Sequence, residues 1–273
     1  MKTRIFIGLL AALLVAAVAS QSFYAAGQKE RERDDSGWDN LTEKEEIKQT
    51  YQLASGAQVD VSGINGTVDI ETANGNTAEV HIIRSARTKE DLQYHKIIIE
   101  PSANKLVIRG ENKKERGYEG RNRNVRHEVI LRLPRQIQLA TSGVNGRVTV
   151  GEIDGPINIS GINGRVEVAQ AAGYSTLSGI NGRVKVTLTR MNERGIQISG
   201  INGGVELAFT DSLNADLDVS GINGSVDAAD FPLTIQGKME RHSFRAKIGS
   251  GGAPINVSGV NGKVRITRAG RAG

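Results

Sequence analysis

The sequence predicts an all-β fold of the single-stranded β-helix, or β-solenoid, class, with coils of about 18 to 21 residues. Three observations lead to this prediction. The pentapeptide Ser-Gly-(Ile/Val)-Asn-Gly occurs seven times, apolar and polar residues alternate around the copies, and the composition favours tight turns. With 33 glycines, 5 prolines, 4% aromatic residues and no cysteine among 273 residues, any core must be built from small aliphatic side chains. A disulfide framework and cysteine-ligated metal sites are excluded.

The chain begins with the pattern of a secretory signal peptide. Lys2 and Arg4 precede an apolar run over residues 5–18, and Ala17-Val18-Ala19 is a small-x-small cleavage pattern. The run is shorter than the roughly 18 to 20 residues that span a bilayer. We therefore expect a signal peptide over residues 1–19 and a mature chain that is periplasmic, at the cell surface or secreted. No transmembrane segment is expected after cleavage.

Residues 20–50 are predicted to form a charged spacer or a short helical cap at one end of the domain. Thr42 and Glu45 have the spacing of a capping box, which would open a helix just before Ile47. The repeat domain is expected over residues 51–268, followed by a short tail over 269–273.

The pentapeptide copies define the repeat unit, because each has a strand pattern on both sides. The stretch Ile157-Asn158-Ile159 precedes the third copy and Val166-Glu167-Val168 follows it, and this alternation is typical of half-buried strands. The spacing is 18 or 21 residues in the central copies, 80 before them and 38 after them, so degenerate copies are expected in the long gaps. The copies begin at Ser62, Ser142, Ser160, Ser178, Ser199, Ser220 and Ser258.

Two architectures fit this unit. In the first, each Asn-Gly forms a type I′ hairpin turn in an antiparallel meander. In the second, each pentapeptide forms the corner of a β-solenoid. The meander would turn the central Ile or Val of every copy away from the core. In the solenoid, glycines with positive φ break the alternation and turn that aliphatic residue inward. Because the position is always β-branched and aliphatic, the sequence favours the solenoid.

Stacked coils would bring the repeated asparagines into one column. Coils stack about 4.8 Å apart, as strands do in a sheet, and amide side chains at that spacing form hydrogen-bonded ladders. The expected structural ladder consists of Asn65, Asn145, Asn163, Asn181, Asn202, Asn223 and Asn261.

The segment 71–141 is predicted to contain irregular coils with longer strands. Residues 96–99 and 105–108 are expected to form a hairpin joined through residues 101–104. Residues 110–127 form a strand-free basic loop with six Lys and Arg against three glutamates. Such a loop is typical of a solvated surface segment, and the alternative is an anion-binding loop.

The motifs together resemble a known family. A signal sequence, a hydrophobic strand ending in proline at residues 129–134, and recurring Asn-Gly-x-Val units resemble the bacterial putative-adhesin β-strand-repeat family and the related head GIN domains. The Gly-Ile-Asn string is literal in five copies, and the resemblance covers roughly residues 51–267. It implies a single-stranded β-helix-like domain on an exported bacterial protein, with no catalytic residues to transfer.

The residues offer little support for catalysis, metal or cofactor binding. His81, His95, His127 and His242 lack metal-ligand spacing, and we expect ordinary strand or loop roles for them. A polysaccharide lyase or hydrolase would need paired acids in a cleft. The densest acidic group is Asp211, Asp216, Asp218, Asp227 and Asp230. No mechanistic motif surrounds it, so we expect no catalytic residues, no metal and no cofactor.

The residue that follows each Asn-Gly is predicted to point outward, because the next residue is always an inward valine. It is arginine in three consecutive copies, Arg147, Arg165 and Arg183, and elsewhere it is Thr67, Gly204, Ser225 or Lys263. The three arginines would form either a surface ion-pair network, with Glu167 as a local partner, or a ligand-binding stripe. Guanidinium groups suit bidentate contacts with phosphate or carboxylate groups.

The predicted function is that of an exported, non-enzymatic adhesin or envelope polymer-binding or scaffold module. The expected partner is an anionic envelope polysaccharide or surface polymer, and self-association is possible through exposed sheet edges. Removing Lys2 and Arg4 from the 35 basic residues leaves 33 against 30 acidic ones, a net of +3, so no nucleic acid is expected. The alternatives are a polysaccharide-active β-helix enzyme and a self-assembling structural unit.

Overall fold

The computed structural model describes residues 41–112, 125–169, 173–188, 190–210, 212–228, 233–240 and 242–269, without the side chains of 112 and 237–240. It is 71% strand and 3% helix, so the all-β class is confirmed, and its large sheet is mixed and mostly parallel. The elements in these ranges are β1 (Glu43–Gln52), β2 (Gln58–Ser62), β3 (Asn65–Ala73), β4 (Thr77–Ala86), α1 (Lys89–Tyr94), β5 (His95–Pro101), β6 (Lys105–Asn112), β7 (Arg126–Pro134), β8 (Gln138–Ser142), β9 (Asn145–Val150), β10 (Ile157–Ala169), β11 (Ser175–Leu188), β12 (Ile196–Asn202), β13 (Val205–Phe209), β14 (Ala215–Ser220), β15 (Asn223–Asp227), β16 (Thr234–Glu240), β17 (Ser243–Ile248) and β18 (Ala253–Arg268).

Each pentapeptide copy pairs with its neighbours in parallel and in register. Between β10 and β11, for example, Ser160 lies opposite Ser178 and Val166 lies opposite Val184. We call each such level of the stack a rung and name it by the first serine of its pentapeptide. In space the rungs follow the order Ser62, Ser142, Ser160, Ser178, Ser199, Ser258 and Ser220.

The antiparallel meander is wrong. Strands β10, β11 and β18 run through their pentapeptides without interruption. At the other copies, the two flanking strands pair with adjacent rungs; β2 pairs with β6 and β8, whereas β3 pairs with β7 and β9. The central Ile or Val is buried in all seven copies, as the corner interpretation predicted, at residues 64, 144, 162, 180, 201, 222 and 260.

Two glycines in each pentapeptide allow its central aliphatic residue to turn inward. In the Ser160 rung, Gly161 has φ +62°, which L side chains rarely adopt. Gly164 approaches the rung below so closely that an added Cβ would lie 1.9 Å from the carbonyl oxygen of Gly146. The inward positions therefore change from Ile157 and Ile159 to Ile162 and then Val166, all of which belong to one contiguous aliphatic core.

The last strand of the fold lies inside the stack. β18 pairs in parallel with β12 and β13 on one side and with β14 and β15 on the other. The gap between the Ser220 and Ser258 copies holds no degenerate coil in its described part. It contains β16 and β17, an antiparallel pair whose β17 also pairs antiparallel with β14.

The first long gap contains one further parallel rung and an antiparallel end. β6 and β7 pair in parallel with β2 and β3, and we call this level the end rung. Beyond it, β5 pairs antiparallel with β6, which confirms the predicted hairpin, and β4 pairs antiparallel with β7. Within the predicted basic loop, residues 110–112 belong to β6 and residues 126–127 to β7. The strand-free prediction is therefore wrong at both ends of the loop. Val125 is described and buried, whereas residues 113–124 lie outside the described residues.

The predicted helix after Thr42 is wrong, because residues 43–52 form β1. This strand pairs with β4 over ten residues, and Ile47 and Tyr51 pack against the core. Pairing and burial outweigh a local capping signal, since propensity is a weak determinant when tertiary contacts are available. The compact unit consequently begins at Thr42 rather than at residue 51. The predicted signal peptide lies outside the described residues, as does the tail beyond Ala269.

Candidate functional site: a basic face beside an asparagine ladder

The structure places the three predicted arginines side by side. Arg147 lies opposite Arg165, and Arg165 lies opposite Arg183, on three adjacent parallel strands. The valine that follows each of them is fully buried, so the arginine before it is directed to the opposite, outer side of the strand. Arg165 and Arg183 are exposed and Arg147 is half-buried.

The inserted strand β18 changes which residues extend this column. Val205 lies opposite Val264, so Gly204 and Lys263 occupy the next two rungs after Arg183. Ser225 follows beyond Lys263, and Thr67 precedes Arg147 at the other end. Lys263 therefore places a positive charge in the column directly after Gly204. The order of the copies along the chain does not indicate this neighbour.

A second outer column lies two residues further along each strand, and it mixes both charges. It contains Asp69, Thr149, Glu167, Lys185, Glu206, Arg265 and Asp227. We call the six cations of the two columns the basic face: Arg147, Arg165, Arg183, Lys185, Lys263 and Arg265. With four carboxylates in the same columns, the net charge of this surface is +2.

Acidic neighbours offset part of the repulsion within the basic face. Neighbouring arginines about 5 Å apart would repel by somewhat under 1 kcal/mol in water. Glu167 lies 3.9 Å from Arg165, as the ion-pair interpretation anticipated, and Glu206 lies 3.1 Å from Lys185. Arg183 has no ion-pair partner among the described residues. It is therefore available to an external anion.

The seven predicted ladder asparagines are hydrogen-bonded in one continuous chain. Each Nδ2 donates to the Oδ1 of the next asparagine towards the end rung, over distances of 2.9 to 3.1 Å. At the end rung, the Nδ2 of Asn65 donates to the backbone oxygen of Val125 at 2.9 Å. All the amides point in the same direction, so each hydrogen bond polarises the next.

His127 lies in the end rung, where it takes the place of a pentapeptide glycine. Its position in the sequence did not indicate this role. It lies opposite Gly66, and its Nδ1 accepts a hydrogen bond from the backbone N–H of Asn65 at 3.3 Å. Burial is the main reason that the pKa of His127 is lowered from 6.5 to about 4, and the positive charges of Arg84 and His95 lower it further. The imidazole is therefore neutral at pH 7.

The other histidines serve within the scaffold. His81 contacts a carboxylate oxygen of Glu46 at 2.6 Å, and Nδ1 of His242 lies 2.7 Å from the backbone oxygen of Ile222. His95 packs edge-on against its neighbour Tyr94. Within the described ranges, no group of three or more histidine and acidic side chains is arranged to hold a metal ion.

The three described members of the predicted acidic cluster are not assembled into one site. Asp216 and Asp218 lie on β14, whereas Asp227 lies on β15, beyond the intervening pentapeptide. Asp218 pairs with Arg245 at 2.8 Å, and Asp227 pairs with Lys263 at 2.7 Å. The remaining two members, Asp211 and Asp230, lie outside the described residues.

The chain has distant similarity to bacterial proteins of known structure. No protein-family model matches the sequence, and no curated protein matches it. A putative cell adhesion protein from Clostridium sporogenes ATCC 15579 is 12% identical, with a TM-score of 0.49 over 83% of this chain and 100% of that chain. A putative adhesin from Bacteroides fragilis NCTC 9343 is 10% identical, with a TM-score of 0.31 over 81% and 97% of the two chains. A putative lipid binding protein from Parabacteroides distasonis ATCC 8503 is 12% identical, with a TM-score of 0.26 over 82% and 95%.

Two of these three proteins are described as putative adhesion proteins. In the described part of the chain, no helix has the length and apolar character needed to cross a membrane.

Proposed function

We propose that this protein is an exported, non-enzymatic adhesin-like module that binds an anionic envelope polysaccharide or surface polymer on its basic face. The observation that carries the proposal is the alignment of Arg147, Arg165 and Arg183 on adjacent rungs. The last of the three has no carboxylate partner among the described residues. Regular spacing, outward direction and an available guanidinium group are what a repeating anionic chain requires.

Spacing is the physical reason to favour a polymer. Adjacent strands of a sheet lie about 4.8 Å apart, so the column offers a positive group at regular intervals along the stack. Guanidinium groups form paired hydrogen bonds with carboxylate, phosphate and sulfate oxygens. With only 4% aromatic residues in the chain, stacking on sugar rings contributes little, and ionic contacts provide the affinity.

The scaffold that supports this face is, in our proposal, a β-solenoid. Three observations support it: parallel in-register pairing of successive repeats, one aliphatic core, and two glycines that redirect the chain in each pentapeptide. The extended, regular surface of such a stack suits a long ligand. The pattern of a signal peptide at residues 1–19 supports export to the periplasm, the cell surface or the medium.

The test compares binding of the mature chain to polygalacturonate and to dextran sulfate at low and moderate salt. The variant Arg147→Ser, Arg165→Ser, Arg183→Ser removes the arginine column. A matched variant, Lys105→Ser, Arg109→Ser, Arg245→Ser, removes three exposed charges from β6 and β17. These strands pair with β2 and β14, which precede the Ser62 and Ser220 pentapeptides. Both variants lower the net charge equally, so general electrostatic attraction affects them alike.

The expected result is binding by the wild type and by the matched variant, with loss of binding in the arginine-column variant. All three proteins should retain the same β-rich circular dichroism spectrum. Equal binding by the two variants, or no binding by the wild type, would overturn the proposal.

A further inference from the structure

Gly204 creates a pocket in the basic face. The pocket has a volume of about 200 Å³ and is lined by Arg183, Gly204, Val205, Glu206, Lys263 and Arg265. It lies where the outer column lacks a side chain, between an arginine on one rung and a lysine two rungs away. A water molecule occupies about 30 Å³ in the liquid, so a small polyatomic anion fits into a space of this size.

The backbone does not require glycine at this position. A Cβ added to Gly204 would meet only the backbone oxygen of Lys263, at 3.6 Å, which is an ordinary contact. The preceding Gly203 is different, because it has φ +148° and its added Cβ would lie 1.8 Å from the oxygen of Gly182. Gly203 is a requirement of the fold, whereas the effect of Gly204 is to leave the surface open.

Positive charge predominates around the pocket. Lys263 and Arg265 share one carboxylate, Asp227, at 2.7 and 3.9 Å. Glu206 lines the pocket but lies 3.1 Å from Lys185. Four cations therefore lie near two carboxylates, which gives a local net charge of +2. The cations are Arg183, Lys185, Lys263 and Arg265, and the carboxylates are Glu206 and Asp227. One cation on each side can turn towards the gap, because Arg183 has no described acidic partner and Arg265 has only a long contact.

We propose that this pocket binds one anionic group of the polymer, a sulfate, phosphate or carboxylate, between Arg183 on one side and Lys263 and Arg265 on the other. The two sides are two rungs apart, about 10 Å along the stack. Hydrogen bonds from both sides can thus reach a single group seated above Gly204. This inference rests on the proposed function, and it identifies one position along the basic face at which a single group of the polymer is held.

Filling the pocket without changing the charge tests the inference. Gly204→Leu adds a side chain where the backbone tolerates one, and Thr67→Leu adds the same side chain to the outer column at the far end of the arginines. Arg147→Ser, Arg165→Ser leaves the pocket intact and removes the rest of the column. Two readouts are measured: affinity for dextran sulfate and polygalacturonate by calorimetry, and amide NMR shifts of residues 204 and 205 on adding inorganic sulfate.

We expect Gly204→Leu to weaken polymer binding about tenfold, the effect of losing one charge-assisted hydrogen bond, and to abolish the sulfate-induced shifts. Thr67→Leu should behave as the wild type. The double arginine variant should lose polymer affinity but keep the sulfate shifts. Sulfate and polygalacturonate together distinguish a free inorganic ion from a group carried by a chain.

The pocket and the proposed function fail in different ways. If Gly204→Leu binds both polymers as the wild type does while the double arginine variant does not, the pocket assignment is overturned and the basic face stands. If neither polymer binds the wild type, while sulfate shifts residues 204 and 205, the polymer function is overturned and the pocket holds only a free ion.

Discussion

The central rungs and the end rung place different residues at the same positions. In the Ser160 rung, an asparagine amide bonds to an identical amide on each side, and glycine permits close approach of the next strand. In the end rung, the backbone oxygen of Val125 accepts the last ladder bond and His127 takes the place of glycine. Repetition satisfies polar groups by supplying identical partners, so the stack must end on groups of another kind.

Polar side chains are buried at the end of the stack, around the end rung. Arg84 is only 5% exposed and lies 2.5 Å from Glu45 and 2.5 Å from the backbone oxygen of His95. Burial lowers the pKa of Arg84, although the charge of Glu45 opposes this effect. His127 is 3% exposed, and its Nε2 has no hydrogen-bond partner in the described part of the chain. The stability of the central rungs therefore depends on close backbone packing at glycine. The stability of the end rung depends on the protonation state of buried side chains.

The largest expected loss of stability comes from a substitution that disturbs the backbone of a central rung. Gly164→Ala places a methyl group against the carbonyl oxygen of Gly146 and strains a backbone with φ +149°. We expect a loss of about 3 kcal/mol or more in the free energy of unfolding, measured by urea denaturation. Gly204→Ala is the control, with a change within about 0.5 kcal/mol. Similar losses in both variants would contradict the steric explanation.

The next effect concerns the end rung and depends on pH. His127 has a pKa of about 4 in the folded protein against 6.5 for an ordinary histidine, so the unfolded chain binds more protons between these values. Stability should therefore fall as the pH decreases from 6.5 towards 4, by about 2 kcal/mol between pH 7 and pH 4.5. Urea midpoints of the wild type and His127→Gln at both pH values measure this contribution. Identical pH dependence in the two proteins would refute it.

A smaller effect compares the middle of the ladder with its end. Asn163→Ala removes two amide hydrogen bonds, whereas Asn223→Ala removes one. Since these bonds are exposed, we expect losses of about 1 kcal/mol and about half that value. Chemical denaturation of both variants provides the ratio. A larger loss for the terminal residue would show that the ladder does not act through pairwise bonds.

The smallest effect separates the basic face from the scaffold. Arg165→Ser removes an exposed ion pair with a 3.9 Å separation, and the change in unfolding free energy should remain below about 0.5 kcal/mol. Thermal melting at low and high salt checks this value. A clear, salt-dependent destabilisation would mean that the arginines stabilise the fold rather than bind a ligand.

Much of the central architecture was predictable because each repeat carries its own physical signals. The β-branched residue at the middle of every pentapeptide indicated an inward corner, and the seven asparagines indicated a column. The position of the arginines followed from the buried valine after each one. These inferences need only local geometry and the assumption that equivalent positions stack.

Features that depend on how distant segments meet were not predictable. Nothing in the pentapeptides reveals that the Ser258 rung lies between those of Ser199 and Ser220, so the approach of Lys263 to Gly204 was hidden. The capping signal at Thr42 was read as a helix because the pairing partner β4 is not visible in the local sequence. His127 replaces a repeat residue with an unrelated one, which gives pattern recognition nothing to match.

The position of β18 also determines the order in which the protein can fold. The rungs beginning at Ser199 and Ser220 are separated in space by a strand that is made after both of them. An N-terminal fragment ending before residue 253 would expose two parallel edges that only the final segment can join. Contacts between residues about 59 positions apart must form before this part of the stack closes, which slows folding. Folding therefore cannot proceed rung by rung along the chain, and it reaches completion only when the last strand is available.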